Sequence, residues 1–182
     1  MMANNKIITV PNMLTTLRIF LVPFLVFAMN AKDYSLALKI IIIAGITDSL
    51  DGIIARKFNQ ISKFGTFLDP LADKFLILSI MAIFYIQELV PRWFVSIVFI
   101  RDVLVALGWL EAYLRKKKIM KPLILGKIYN ASQVIIFGYV ILAVNFKLSL
   151  PSNLWYIGVS LLSILSFVQY TIVRLSNDSQ RS

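Results

Sequence analysis

The chain has 182 residues, of which 59% are hydrophobic and 15% charged, and its mean hydropathy is +0.80. Soluble domains run at roughly 45–50% apolar and about 25% charged, so a water-soluble globule is excluded, and scarce Gly and Pro with abundant aromatics exclude disorder and collagen-like repeats. There is no Cys and no His, which removes disulfides, thiolates and imidazoles and leaves carboxylates, hydroxyls, Lys and Arg for any chemistry. A membrane-crossing helix needs about 20 mostly apolar residues. Such runs occur at 13–30, 34–56, 66–87, 93–114, 124–146 and 152–174, which predicts an all-α integral membrane protein, a six-helix transmembrane bundle forming one domain over 1–182. Residues 4–11 carry a weak signal for a short surface segment before the first span. A secretory signal peptide over 1–31 is the rival, and it lacks a small-x-small cleavage site and has five further spans behind it.

Charge orients these spans. The turns at Asn30–Asp33, Glu88–Arg92 and Lys147–Ser152 hold one basic residue each. The alternate turns hold Arg56, Lys57 and Lys63, then Arg115, Lys116, Lys117, Lys118 and Lys121. The positive-inside rule therefore places both termini and the basic turns in the cytoplasm, with Trp93 and Trp155 as interfacial anchors on the far side. The net charge of +10 is thus assigned to anionic lipid and topology, with no nucleic acid partner.

Four of the nine acidic residues are Asp48, Asp51, Asp69 and Asp73, at the cytoplasmic ends of the second and third spans. An Asp at a helix centre costs about 2.5–3.5 kcal/mol to insert, so a group of four demands a neutralising partner. Asp48, Asp51, Gly52, Ala55 and Arg56 fall on one helical stripe, and Gly65, Asp69 and Asp73 on a second. Two adjacent antiparallel helices so patterned aim four carboxylates at one point, with small residues beside them for close approach. An all-oxygen set suits Mg²⁺ or Mn²⁺, and four acids suffice for a two-metal site that holds a diphosphate. The competing interpretation is burial as ion pairs with Arg56, Lys63 and Lys74.

The stretch Ile46–Lys74 carries D-x-x-D-G-x-x-A-R-x8-G-x-x-x-D-x-x-x-D with every fixed position at its spacing, and it resembles the signature of the CDP-alcohol phosphatidyltransferases. The resemblance implies a six-span bundle, commonly a homodimer, that moves a phosphatidyl group from CDP-diacylglycerol to an alcohol and releases CMP. It implies that Asp48, Asp51, Asp69 and Asp73 bind two divalent ions, and that Asp73 is also the general base. Gly52, Arg56 and Ser62 are implied as contacts to the CDP moiety. The opening P-N-M-L-T-T-L-R is similar to the family's Asn-x-x-Thr-x-x-Arg start, which adds Asn12, Thr15 and Arg18 as lipid-nucleotide candidates. For these three a helix cap and a snorkelling Arg are the alternative. The acids' position implies an active site facing the cytoplasm.

For the acceptor, Arg101 and Lys127 on the fourth and fifth spans are the candidate phosphate contacts, with an Arg101–Asp102 structural pair as the alternative for the first. The opening segment and L-D-P-L-A-D-K resemble the bacterial branch that uses glycerol 3-phosphate, which implies a bacterial cytoplasmic membrane. Glycerol 3-phosphate, giving phosphatidylglycerophosphate, is therefore the first expectation; Arg101-Asp102 and Gly126–Gln133 depart from that branch, and Arg-Asp resembles the cardiolipin-forming branch, whose acceptor, phosphatidylglycerol, is the alternative. A cation-coupled transporter is the reading from another class. It expects paired repeats and broken helices in both halves, whereas the acids here are confined to one half.

Overall fold

In a computed structural model the described residues, 9–58, 63–115 and 123–179, form six helices and no strand. The side chains of Ser49, Gly52, Ala55, Arg56, Lys63, Phe64, Thr66, Phe67 and Asn177–Ser179 are outside that description. The helices are α1 (Val10–Asn30), α2 (Tyr34–Lys57), α3 (Lys63–Ile86), α4 (Arg92–Leu114), α5 (Ile124–Phe146) and α6 (Asn153–Ser179). Each contains one expected span, displaced by a few residues at its ends. α1, α4, α5 and residues 153–176 of α6 are long and apolar enough to cross a membrane. α2 and α3 have 24 residues each and differ from these in charge, with Lys39, Asp48, Asp51, Arg56 and Lys57 on one and Lys63, Asp69, Asp73 and Lys74 on the other.

The helix ends follow local chemistry. Thr9 caps α1 by accepting a hydrogen bond from the Asn12 N–H at 3.4 Å, and Pro11 occupies the first turn, where no backbone donor is needed. Asp33 caps α2 through the Leu36 N–H at 2.9 Å. The short turns after α1, α3 and α5 each use a non-glycine residue in the left-handed region: Lys32 (φ 58°), Glu88 (φ 54°) and Lys147 (φ 56°).

The chain divides into two compact units, Met1–Ile86 and Gln87–Ser182. In the first, α1 packs against both α2 and α3. Its core is Leu25, Ala28 and Met29 of α1, Ala37, Ile40 and Ala44 of α2, and Ala72, Ile80, Met81 and Phe84 of α3. Alanines at the contact let the backbones approach, the device by which helices associate where lipid supplies no hydrophobic drive. The described contacts of α2 and α3 run through α1, which packs on both. α1 also carries polar groups that their acids bond to.

In the second unit α6 takes the equivalent place and packs against α4 and α5. Phe94 meets Phe137 edge-on at 6.1 Å between ring centroids and Tyr156 at 5.0 Å, around buried Val98, Val140 and Val159. At Gly108 an added Cβ would lie 2.7 Å from the Tyr170 hydroxyl and against the Arg174 guanidinium, so a larger residue there would make these α6 side-chain ends shift. Outward surfaces are apolar in both units, with Phe20, Phe24 and Phe27 on α1 and Leu161, Ile164 and Leu165 on α6 exposed, as lipid-facing residues must be.

Candidate functional site

Three helices of the first unit each present a polar pair at helical spacing. α1 contributes Thr15 and Arg18 (i, i+3), α2 Asp48 and Asp51 (i, i+3), and α3 Asp69 and Asp73 (i, i+4), so each pair lies on one face. Arg18 is 1% exposed, and its guanidinium is the hub. Nη1 donates to Asp73 and pairs with Asp48 Oδ1 at 2.9 Å, and Nη2 donates to Asp51 Oδ2 at 2.6 Å. The Thr15 hydroxyl, fully buried, donates to Asp69 Oδ1 at 2.6 Å. Asp51 Oδ2 and the Pro11 carbonyl are also within 3.4 and 3.1 Å of it, but one hydroxyl has one proton and Asp69 is nearest. All four aspartates are thereby held by α1.

Exposure divides the acids. Asp51 is buried, whereas the side chains of Asp48 and Asp73 are 51% and 53% exposed, so the cluster opens to one side. The donor set is four carboxylates and a hydroxyl, with neither imidazole nor thiolate, and it fits a hard divalent cation. Among the described residues no three acids stand close enough to grip an ion as they are placed. A guanidinium lies between them instead.

The remaining donor-side candidates are distributed as follows. Asn12 is buried on the first turn of α1, three residues before Thr15. Gly52 and Arg56 fall on α2 with side chains outside the described set, and Ser62 lies outside the described residues, as do Lys116–Lys118 and Lys121.

The second unit holds another polar cluster. Arg101 of α4, 8% exposed, donates from Nη1 to Asp102 Oδ1 and from Nη2 to the Ser166 hydroxyl of α6, both at 2.7 Å. Gln133 of α5 donates from Nε2 to Asp102 Oδ2 at 2.8 Å, and the Tyr129 ring lies 4.2 Å from the guanidinium carbon. Asp102, Tyr129, Gln133 and Ser166 are all buried. The Arg101–Asp102 pair is thus formed, while Lys127 is exposed on α5. Sequence reasoning did not identify Gln133, Ser166 or Tyr129 as parts of this network. Two signals were available: Tyr129 and Gln133 lie at i, i+4 on α5, and a buried Asp at position 102 requires more than one donor.

A profile of the CDP-alcohol phosphatidyltransferases matches residues 8–171. A probable cardiolipin synthase (CMP-forming) from Drosophila melanogaster is 39% identical over 71% of this chain and 40% of its own length. The Homo sapiens cardiolipin synthase (CMP-forming) is 38% identical over 67% of the chain and 40% of its own. The chain therefore spans less than half the length of these two relatives. A CDP-diacylglycerol–glycerol-3-phosphate 3-phosphatidyltransferase from Salmonella choleraesuis is 30% identical over 88% of this chain and 92% of its own.

Proposed function

The chain belongs to the CDP-alcohol phosphatidyltransferases, and from that premise we propose that it transfers a phosphatidyl group from CDP-diacylglycerol to an alcohol and releases CMP. The gathering of Asp48, Asp51, Asp69 and Asp73 about α1 carries this reading. Family membership also removes the transport reading. Residues 1–182 act as one domain in a bacterial cytoplasmic membrane. All six helices span it, α2 and α3 among them because their acids gather about α1 at one end, and both termini and the acids lie on the cytoplasmic side. The working form is a homodimer.

Asp48, Asp51, Asp69 and Asp73 would hold two divalent cations, Mg²⁺ or Mn²⁺. When bound, such ions neutralise a diphosphate and stabilise the departing nucleotide. Arg56 offers a planar fork to diphosphate oxygens, and Gly52 and Ser62 lie along the same nucleotide. Asn12, Thr15 and Arg18 of α1 lie on the lipid side of the donor, Arg18 reaching it only once its guanidinium leaves the acids. Asp73, half exposed, takes the proton from the acceptor's hydroxyl at a carboxylate oxygen, and the freed oxygen attacks the lipid-side phosphorus.

Two acceptors each have an observation in their favour. Glycerol 3-phosphate is supported by the relative matched along nearly its whole length, with Arg101 and Lys127 as its phosphate contacts. Phosphatidylglycerol is supported by the higher identity to the cardiolipin synthases and by Arg101, whose charge Asp102 already neutralises. The test is CMP release by the purified protein with CDP-diacylglycerol and Mg²⁺ or Mn²⁺, each acceptor added singly. Turnover with neither acceptor, under conditions where the protein is folded, would sink both readings.

A further inference from the structure

Four carboxylates gathered at one end of a helical unit repel one another, and the chain must hold them before any ion arrives. Arg18 meets that need. Its Nη1 serves carboxylates of both α2 and α3, and its Nη2 serves a second carboxylate of α2. We propose that Arg18 is a tethered counter-cation, which occupies the acid cluster in the metal-free protein and is displaced when divalent cations bind. This rests on the metal reading given above.

Three observations support it. A snorkelling arginine places its head in water, whereas this guanidinium is 1% exposed and bonded inward. An arginine standing ready for a phosphate keeps an open edge; here both terminal nitrogens are engaged, and Nε is buried without a hydrogen-bond partner. One guanidinium also serves three carboxylates, and the bond described for Asp69 comes from a neutral hydroxyl. The half-exposed acids, Asp48 and Asp73, give a cation a way in from solvent without separating the helices.

Displacement makes two demands. Arg18 competes with the ions, so its removal tightens metal binding. It also holds the acids together without metal, so its removal makes folding depend on metal. The experiment uses the full chain in detergent, with free Mn²⁺ followed by electron paramagnetic resonance and thermal unfolding measured in EDTA and in saturating Mn²⁺. Arg18→Gln is expected to bind Mn²⁺ about 10-fold tighter, equivalent to about 1.4 kcal/mol. Its melting temperature is expected to fall in EDTA and recover in Mn²⁺. Equal or weaker Mn²⁺ binding by Arg18→Gln overturns the inference, since Arg18 would then be a clamp that positions the ligands. If that variant cannot be recovered folded, Arg18→Lys decides. A point charge cannot span three carboxylates, so its Mn²⁺ affinity must rise, and unchanged or weaker binding again overturns the inference. Asp48→Asn/Asp51→Asn loses Mn²⁺ in the same assay if the metal reading is right. A wild-type chain that takes up no Mn²⁺ fails that reading itself, a result distinct from failure at Arg18.

Discussion

Arg18 and Arg101 are both buried guanidiniums bonded to aspartate, and their surroundings differ in charge and in access. Around Arg18 the carboxylates outnumber the cation, come from two other helices, and are half exposed at Asp48 and Asp73. Around Arg101 one cation meets one aspartate, the aspartate is wholly buried, its second oxygen accepts from Gln133, and Ser166 takes the other guanidinium nitrogen. The second cluster is balanced and closed, the arrangement in which a buried ion pair ties helices together. The first gathers several carboxylates with two of them half exposed, the kind of intramembrane acid cluster that serves as a binding site.

The largest effects should come from the open cluster. Chelation with EDTA should reduce CMP release to background, and full turnover in excess chelator would break the distinction at once. Asp73→Asn should lower the rate about 10²–10⁴-fold, the usual contribution of a general base, with CDP-lipid binding partly kept. Asp48→Asn should lose both metal and donor. A near-wild-type rate in Asp73→Asn would give the proton transfer to another group.

The closed cluster should respond in stability instead. Asp102→Leu strands the Arg101 charge, and breaking a buried pair in this way costs roughly 3–5 kcal/mol. The double variant Arg101→Met/Asp102→Leu removes both charges and should recover most of that loss, because apolar replacement of a whole buried pair is often neutral. The same variant tests the acceptor. If Arg101 binds the phosphate of glycerol 3-phosphate, a folded double variant should lose about 10- to 150-fold in kcat/KM for it, from about 1.5–3 kcal/mol of charge-assisted hydrogen bonding. Unchanged kinetics would make the network structural and favour phosphatidylglycerol.

Between these extremes lies Thr15, whose hydroxyl orients Asp69. Partners behind a metal ligand are commonly worth 10- to 100-fold in affinity or activity, so Thr15→Val should weaken Mn²⁺ binding by about 10-fold and Thr15→Ser by little. Equal binding by Thr15→Val would show that Asp69 needs no such support.

Much of this arrangement is legible in the chain. The helices follow from apolar runs of membrane-spanning length, and the four acids stand out because Asp is so unfavourable in such runs. Their residue types and spacing point to a cation. What spacing cannot give is the partner that holds the acids. Asp48, Asp51, Asp69 and Asp73 define two faces but not the side chain that lies among them. The opposing face was visible as Thr15 and Arg18 at i, i+3, but an Arg eight residues into a span reads equally well as a lipid-nucleotide contact. Charge counting favours the alternative role, since four acids need a cation before they need a substrate. In the second unit the Arg101–Asp102 pair was legible as adjacent opposite charges. Gln133 and Ser166 were not, because an uncharged polar residue gives no sign of its partner until helices are packed.

The smallest effects should be alike in the two units, which makes them a control. Lys32, in the turn after α1, and Lys147, in the turn after α5, both sit in the left-handed region at φ 58° and 56°. For a residue with a Cβ that conformation costs roughly 1–2 kcal/mol, while glycine adopts it freely and loses more backbone entropy on folding, roughly 0.5–1 kcal/mol. Lys32→Gly and Lys147→Gly should therefore each stabilise the protein by about 0.5–1 kcal/mol, or about 1–4 °C in melting temperature for a chain of this size. Neither turn touches the polar clusters through the hydrogen bonds that close it, which run from Lys32 to the Met29 carbonyl and from Lys147 to the Ala143 carbonyl. The gains should thus be equal in EDTA and in Mn²⁺. A gain from Lys32→Gly that depended on metal, with none from Lys147→Gly, would mean that the first unit responds to metal as far as its distant turn, and the acid cluster could no longer be treated as a local site.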